Sequence, residues 1–307
     1  MNVLTELAVP LSHPSRPGKI GGARSTWRRG GLAVATLAVI IGIGAVLLAR
    51  WPSLDSQLAA NGLYATAVGQ QKTTMLSDGS QIVLNTNSQI KVDYRGGYRN
   101  VHLLQGEALF TVAKDAKRPF RVYAGNGRIE AVGTAFAVYL NGAAISVAVT
   151  EGRVALASVN PSRVAESQRT PTAGSEPDLD RGVMESLGTL GAGQIATIRT
   201  ATHGKAGESS GLEDVQAVAP EQLAKQLAWR DGMLMFSGER LEQVVKEFSR
   251  YTTVTIDIPD EKVRDMRIGG RFPAGETEAM FAALEANFKL RVTRTAPGRV
   301  EISAAEE

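Results

Sequence analysis

The chain of 307 residues has no cysteine. Disulfide bridges, a thiolate nucleophile and cysteine-ligated zinc or iron–sulfur centres are therefore excluded, although no compartment is. Histidine is almost as scarce: His13, His102 and His203 lie far apart, with no metal-ligand spacing among them. Also missing are a G-x-S-x-G elbow, a phosphate loop and a dinucleotide fingerprint in a strand-to-helix setting. With no convergent nucleophile and base, no enzyme activity, catalytic residue, cofactor or metal is expected. Asp257 and Asp260 flank Pro259 and read as a helix or turn cap, not as an acid/base pair. The net charge is only +3, and Arg16, Lys19, Arg24, Arg28 and Arg29 face a single acid, Glu6, before residue 30. Elsewhere Arg and Lys are dispersed without interleaved aromatics, so no nucleic-acid partner is expected.

Long apolar runs are missing too, except one. Residues 30–49, "GGLAVATLAVIIGIGAVLLA", are 20 residues without a charge, long enough to cross a hydrocarbon core of roughly 30 Å as a helix. Arg24, Arg28 and Arg29 outweigh Arg50 across it, so the N-terminus is expected in the cytoplasm and the bulk of the chain outside. The run exceeds the usual signal-peptide core, and "LLARWPSL" offers no small-x-small cleavage site. Gly31, Ala35, Ala38, Gly42, Ala45 and Ala49 recur at intervals of four and three, one stripe of small residues suited to close packing against another helix in lipid.

From residue 72 strands follow one another. In "QIKVDY" Ile90, Val92 and Tyr94 share one face and Lys91 and Asp93 the other. Turn dipeptides stand at Asp78-Gly79, Gly96-Gly97, Gln105-Gly106, Asn126-Gly127, Asn141-Gly142 and Glu151-Gly152. Three segments, "VHLLQGEALF", "IEAVGTAFAV" and "SVAVTEGRVAL", each run into a glycine and out again, as a tight bend or a close backbone approach requires. Asp78 reads as a turn former, because Asp-Gly supplies the backbone angles of a tight hairpin. Residues from about 157 to 187 are rich in Ser, Pro, Thr and charge and read as a disordered insertion. After residue 227 the pattern changes to strand, helix, strand, twice over. Leu241, Val244, Val245, Phe248 and Tyr251 form one helical face with Ser237 placed as its cap; Met280, Ala283, Leu284 and Phe288 form another. The expected fold is thus a single transmembrane helix, an all-β domain that is sandwich-like or β-helical, and a small α+β domain of βαβ repeats. The boundaries are 1–29 basic cytoplasmic tail, 30–49 span, 50–71 juxtamembrane linker, 72–200 β-domain, 201–226 linker and 227–304 α+β domain.

The segments "LSDGSQIVLNTNSQIKVDY", "VHLLQGEALFTVAKDAKRPFRVYAGNGRIEAVGTAFAV", "VAVTEGRVAL" and "LGAGQ" together resemble the periplasmic FecR domain. "WRDGMLMFSGERLEQVVKEFSRYTTVTI" with "IGGRFPAGETEAMFAALEANFKL" resembles the STN-like domain, short for secretin and TonB N-terminal, that follows it in such proteins. The resemblance implies a single-pass inner-membrane regulator of an extracytoplasmic-function sigma factor. Its periplasmic part would receive a signal from an outer-membrane TonB-dependent receptor, frequently in siderophore-iron uptake. The 29 residues ahead of the span hold three prolines and no sustained amphipathic period, less than the helical sigma-binding domain the family usually carries. A membrane-anchored periplasmic binding or scaffolding protein is the alternative. For the receptor contact, strand addition at an edge of the α+β domain points to Leu234 and Phe236, or to Thr253, Thr255 and Asp257.

Overall fold

The computed structural model describes residues 61–142, 144–159, 184–199 and 211–305. The chain divides into two units, Met1–Pro52 and Ser53–Glu307, and the fold below is that of the second. The expected span 30–49, its small-residue stripe and the basic tail lie outside the described residues. No helix among the described residues is long and apolar enough to cross a membrane.

Thirteen strands form the β-domain: β1 (Asn61–Ala65), β2 (Lys72–Met75), β3 (Gln81–Leu84), β4 (Gln89–Asp93), β5 (Arg99–Thr111), β6 (Phe120–Ala124), β7 (Gly127–Ala131), β8 (Ala135–Asn141), β9 (Ala144–Glu151), β10 (Arg153–Val159), β11 (Met184–Gly191), β12 (Gln194–Arg199) and β13 (Gly211–Ala217). They lie in two sheets that share β5. The first runs β1-β4-β5-β6-β7-β10-β11 and the second β2-β3-β5-β8-β9-β12-β13. Only β5 and β6 are parallel in this domain; the other pairs are antiparallel, so the sheets build a sandwich and not stacked β-helical rungs. Alternation places Ile90, Val101, Leu103 and Val122 from the first sheet against Ile82, Leu84, Phe136 and Val147 from the second. Phe110 joins the layers, with ring centroids 5.9 Å from Phe120 and 5.3 Å from Phe136.

The sheets are joined at glycine corners. Gly106 lies inside β5, where the strand leaves β4 and β6 for β3 and β8. Its φ is +79°, and a Cβ there would come within 2.7 Å of the Asn87 carbonyl oxygen. Gly152 (φ +78°) turns the chain from β9 into β10, with room for no Cβ beside Thr134 Cγ2. Gln105-Gly106 and Glu151-Gly152 are therefore corners between sheets, not the hairpin turns that the dipeptides predict. The bend and close approach expected of the repeated glycine segments are both present.

Four boundaries move. β1 pairs with β4, so Asn61–Ala65 belongs to the β-domain and not to the expected linker. β10 continues to Val159 and β11 starts at Met184, paired with it; 157–159 and 184–187 are strand, not insertion. β13 lies in the expected linker 201–226 and pairs with β12. β1, the start of β11 and β13 are edge segments with largely exposed side chains and lack the apolar alternation that marks an inner strand; the end of β10 is instead buried, at Ala157 and Ser158.

The remaining elements are α1 (Pro220–Gln226), a 3-10 turn (Ala228–Asp231), β14 (Met233–Arg240), α2 (Leu241–Phe248), β15 (Thr255–Asp257), α3 (Glu261–Arg264), β16 (Arg267–Pro273), α4 (Thr277–Phe288), β17 (Leu290–Ala296) and β18 (Arg299–Ala304). β14 pairs with β16 alone, while β15 lies parallel to β18 and β18 antiparallel to β17. The two strands of each expected βαβ half thus belong to different sheets, because each helix crosses from one small sheet to the other. Leu241, Val244, Val245 and Phe248 of α2 are buried as the period predicts, and on α4 Met280 and Leu284 are buried with Thr277 and Phe281. Ser237 does not cap α2. A bulge between Ser237 and Glu239 carries β14 on to Arg240, which is the N-cap, its N–H donating to Gln243 Oε1 at 3.3 Å. Asp260 caps α3 by accepting from the Lys262 N–H at 2.8 Å, as expected.

Candidate functional site at the domain junction

The outer face of the second β-sheet is not left to solvent. Leu109, Ala137 and Ala148 point away from the sandwich core and pack in one cluster with Leu223, Leu227 and Trp229 and the helices of the α+β region. Beside this apolar contact lies a set of polar groups that cross from one domain to the other. The Arg250 guanidinium pairs with Glu107 of β5 and, at 2.6 Å, with Glu247 of α2. It also lies over the Tyr139 ring, 4.1 Å from the centroid. Asn85 Nδ2 donates to Glu107 Oε2 at 2.9 Å and to the Tyr251 hydroxyl at 2.8 Å.

Burial works against the charge on Arg250, but the Glu107 and Glu247 carboxylates outweigh it and hold the proton more tightly than usual. Burial raises the Glu247 carboxyl and the Tyr251 phenol above their ordinary values. None of these residues forms a nucleophile and base pair, and among the described residues no group of His, Asp and Glu is arranged to hold a metal. The polar groups of the junction fix one domain against the other.

The predicted contact residues fall on two separate edges. Leu234 is only 5% exposed and belongs to the core. Phe236 packs with Phe248 and Phe272, at centroid distances of 6.2 and 5.9 Å. The Leu234 side chain is closed to a partner and Phe236 is half-buried, while their strand has a second backbone edge, away from β16. The Ala274 N–H donates to the Gly232 carbonyl at 2.8 Å, which sets the ladder so that Leu234 and Phe236 bond toward β16 while Met233, Met235 and Ser237 face outward. Glu239 accepts from the Ser237 N–H and pairs with Lys225 of α1. This edge opens onto a cleft of about 410 Å³ lined by Met235, Phe236, Trp229, Tyr139 and Arg250. The buried Trp229 indole N–H has no hydrogen-bond partner. Thr253, Thr255 and Asp257 are exposed on or just before β15, with Asp257 3.3 Å from Arg299. The two groups sit in different sheets and do not form one site.

Asp78 does sit in the β2–β3 turn ahead of Gly79 (φ +83°), but its carboxylate does more than bend the chain. It pairs at 2.7 Å with Arg99, whose side chain is fully buried, and accepts from the Ser80 N–H and hydroxyl and from the Tyr94 hydroxyl. Arg99 also donates to the carbonyls of Arg118 and Ala113 at 2.7 and 2.9 Å. Burial disfavours the Asp78 charge, yet the bonds from Ser80, Arg99 and Tyr94 prevail and keep its carboxyl below the usual range. Sequence reasoning missed Arg99 and Glu107. A signal existed: Arg99 shares the inward parity of Val101 and Leu103, and "ALF" after Glu107 is apolar on both faces, which only a strand covered on both sides requires.

A two-sheet sandwich, crossed by glycine corners, is thus locked to a small α+β region by shared apolar and ionic contacts. Residues 62–155, within the β-domain, match the family model described as FecR protein. No curated protein matches the chain. Among solved structures, two crystal structures of a candidate anti-sigma factor from Parabacteroides distasonis share the fold, each with a TM-score of 0.53. They are 19% and 20% identical to this chain, cover 80% of it, and are themselves covered over 99% and 100% of their length.

Proposed function

We propose that the chain is a single-pass inner-membrane regulator of an extracytoplasmic-function sigma factor, anchored by residues 30–49 with the N-terminus in the cytoplasm. Its two outer domains receive a periplasmic signal from an outer-membrane TonB-dependent receptor, in a system tied to siderophore-iron uptake. The observation that carries this reading is the FecR match at 62–155 within a fold shared along 80% of the chain with a candidate anti-sigma factor. A receptor acts on such a protein only by binding two of its states with different affinity. The outward edge of β14, with the Met235 amide and carbonyl beside the cleft, supports strand addition as the contact. The test is titration calorimetry of the full chain in nanodiscs against the periplasmic signalling domains of the TonB-dependent receptors of the same organism. Saturable one-to-one binding is expected; no heat of binding at any concentration overturns the receptor assignment.

A further inference from the structure

The segment 66–71, between β1 and β2, is held from two sides. From the β-domain, the Thr66 N–H donates to the Ser88 carbonyl at 2.9 Å, the Asn87 N–H donates to the Ala67 carbonyl at 3.1 Å, and the Gly69 N–H donates to Thr86 Oγ1 at 2.8 Å. From the α+β region, Arg250 offers its carbonyl to the same Thr86 hydroxyl at 3.0 Å, and Gln71 Nε2 donates to the Trp229 carbonyl at 2.6 Å. Asn85 completes the link, bonded through its side chain to Tyr251 and through its carbonyl to the Thr66 hydroxyl. The fit is close: a Cβ at Gly69 would stand 3.1 Å from the Tyr251 carbonyl oxygen.

Among the described strands β1 pairs with β4 alone, at one edge of the first sheet, with Asn61, Leu63 and Ala65 exposed and Tyr64 packed against the core. Edge strands of this kind are the first parts of a sheet to open. In the sequence only residues 50–60 separate β1 from the proposed anchor.

We propose that docking of the α+β region on segment 66–71 controls whether β1 stays in the sheet, so that a shift of that region releases the strand that follows residues 50–60 in the sequence. Thr86 and Asn85 are the positioning residues, since each bonds the α+β region on one side and segment 66–71 on the other. The release gives the junction a readout in the strand that follows the proposed anchor in sequence, and in that consequence it rests on the membrane-anchored reading. The coupling itself belongs to the outer domains and is tested without reference to any sigma factor.

The test is hydrogen exchange by mass spectrometry on the full chain in nanodiscs. Arg250→Ala removes the guanidinium from Glu107 and Tyr139 and touches neither β1 nor segment 66–71 with its side chain. Exchange at 61–66 is expected to rise on the order of tenfold, with β6 and β7 unchanged. Tyr251→Phe, which removes one hydrogen-bond acceptor and keeps the ring, is expected to raise it about fivefold. Peptides of α2 that lose protection while 61–66 exchange as in the parent chain overturn the proposal. Should Arg250→Ala lose protection throughout, including β6 and β7, the Tyr251→Phe result decides: unchanged exchange at 61–66 overturns the proposal, and a selective rise supports it.

Discussion

At the scale of single residues, the buried Asp78–Arg99 pair is the sharpest case of charge being placed where only its partner makes it tolerable. Removing one member leaves the other buried and uncompensated, so Asp78→Ala or Arg99→Ala is expected to cost about 3–5 kcal/mol, read as a lowered denaturant midpoint. The double variant Asp78→Ala/Arg99→Met is expected to cost less than the two single changes added together. The same pair sets an acid limit. The Asp78 carboxyl lies below its ordinary value in the folded chain, so the unfolded chain binds the extra proton. Its stabilisation is complete above the ordinary aspartate pKa of about 3.9 and fades as pH falls through the lower folded value. Glu247 has the opposite sign. Its raised value means a contribution present in acid and lost as pH rises through the folded pKa. Urea titrations from pH 2 to 7 check both: the Asp78 variants are expected to show a flatter acid slope than the parent chain. Gly106→Ala meets a positive φ and an occupied space together and is expected to destabilise by at least about 1–3 kcal/mol.

Among the elements, β14 carries the proposed contact surface and β5 carries the architecture. The Met235 N–H faces away from β16, so a proline there removes no ladder bond and blocks an incoming strand. Met235→Pro is expected to weaken receptor-domain binding by on the order of tenfold or more while the thermal unfolding temperature stays within a few degrees of the parent value; calorimetry and circular dichroism read the two. Inner elements are legible in the amino-acid order alone, because burial writes itself into it as a period: "QIKVDY" marks β4, and Leu241, Val244, Val245 and Phe248 mark α2. β1, β11 and β13 are not, since an edge strand with exposed side chains has no apolar face to repeat. Nor is the site. The partners of Glu107 lie at Asn85 and Arg250, and the side chain that matters most at the junction stands 143 positions from the carboxylate it meets. Spacing along a chain carries no record of such a meeting; only the apolar residues on both faces of β5 hint that something covers it.

On the scale of the whole molecule, the apolar cluster that joins Leu109, Ala137 and Ala148 to the α+β region makes the two domains share part of one core. The parent chain is therefore expected to unfold its described domains in a single transition, and Arg250→Ala to separate them into two by differential scanning calorimetry. A shared core is also the route by which the proposed coupling would run: the ion pair, the Tyr139 ring and the segment 66–71 all lie along the same seam. The regulatory account stands or falls on what the cell does with that seam. Transcript profiling of a deletion strain, complemented with the parent chain or with Met235→Pro, tests it most directly. The account predicts that deletion alters the genes of one sigma factor, that the parent chain restores their response to the inducing ligand, and that Met235→Pro restores the basal level without the response. Transcript profiles that are identical in all three strains contradict it.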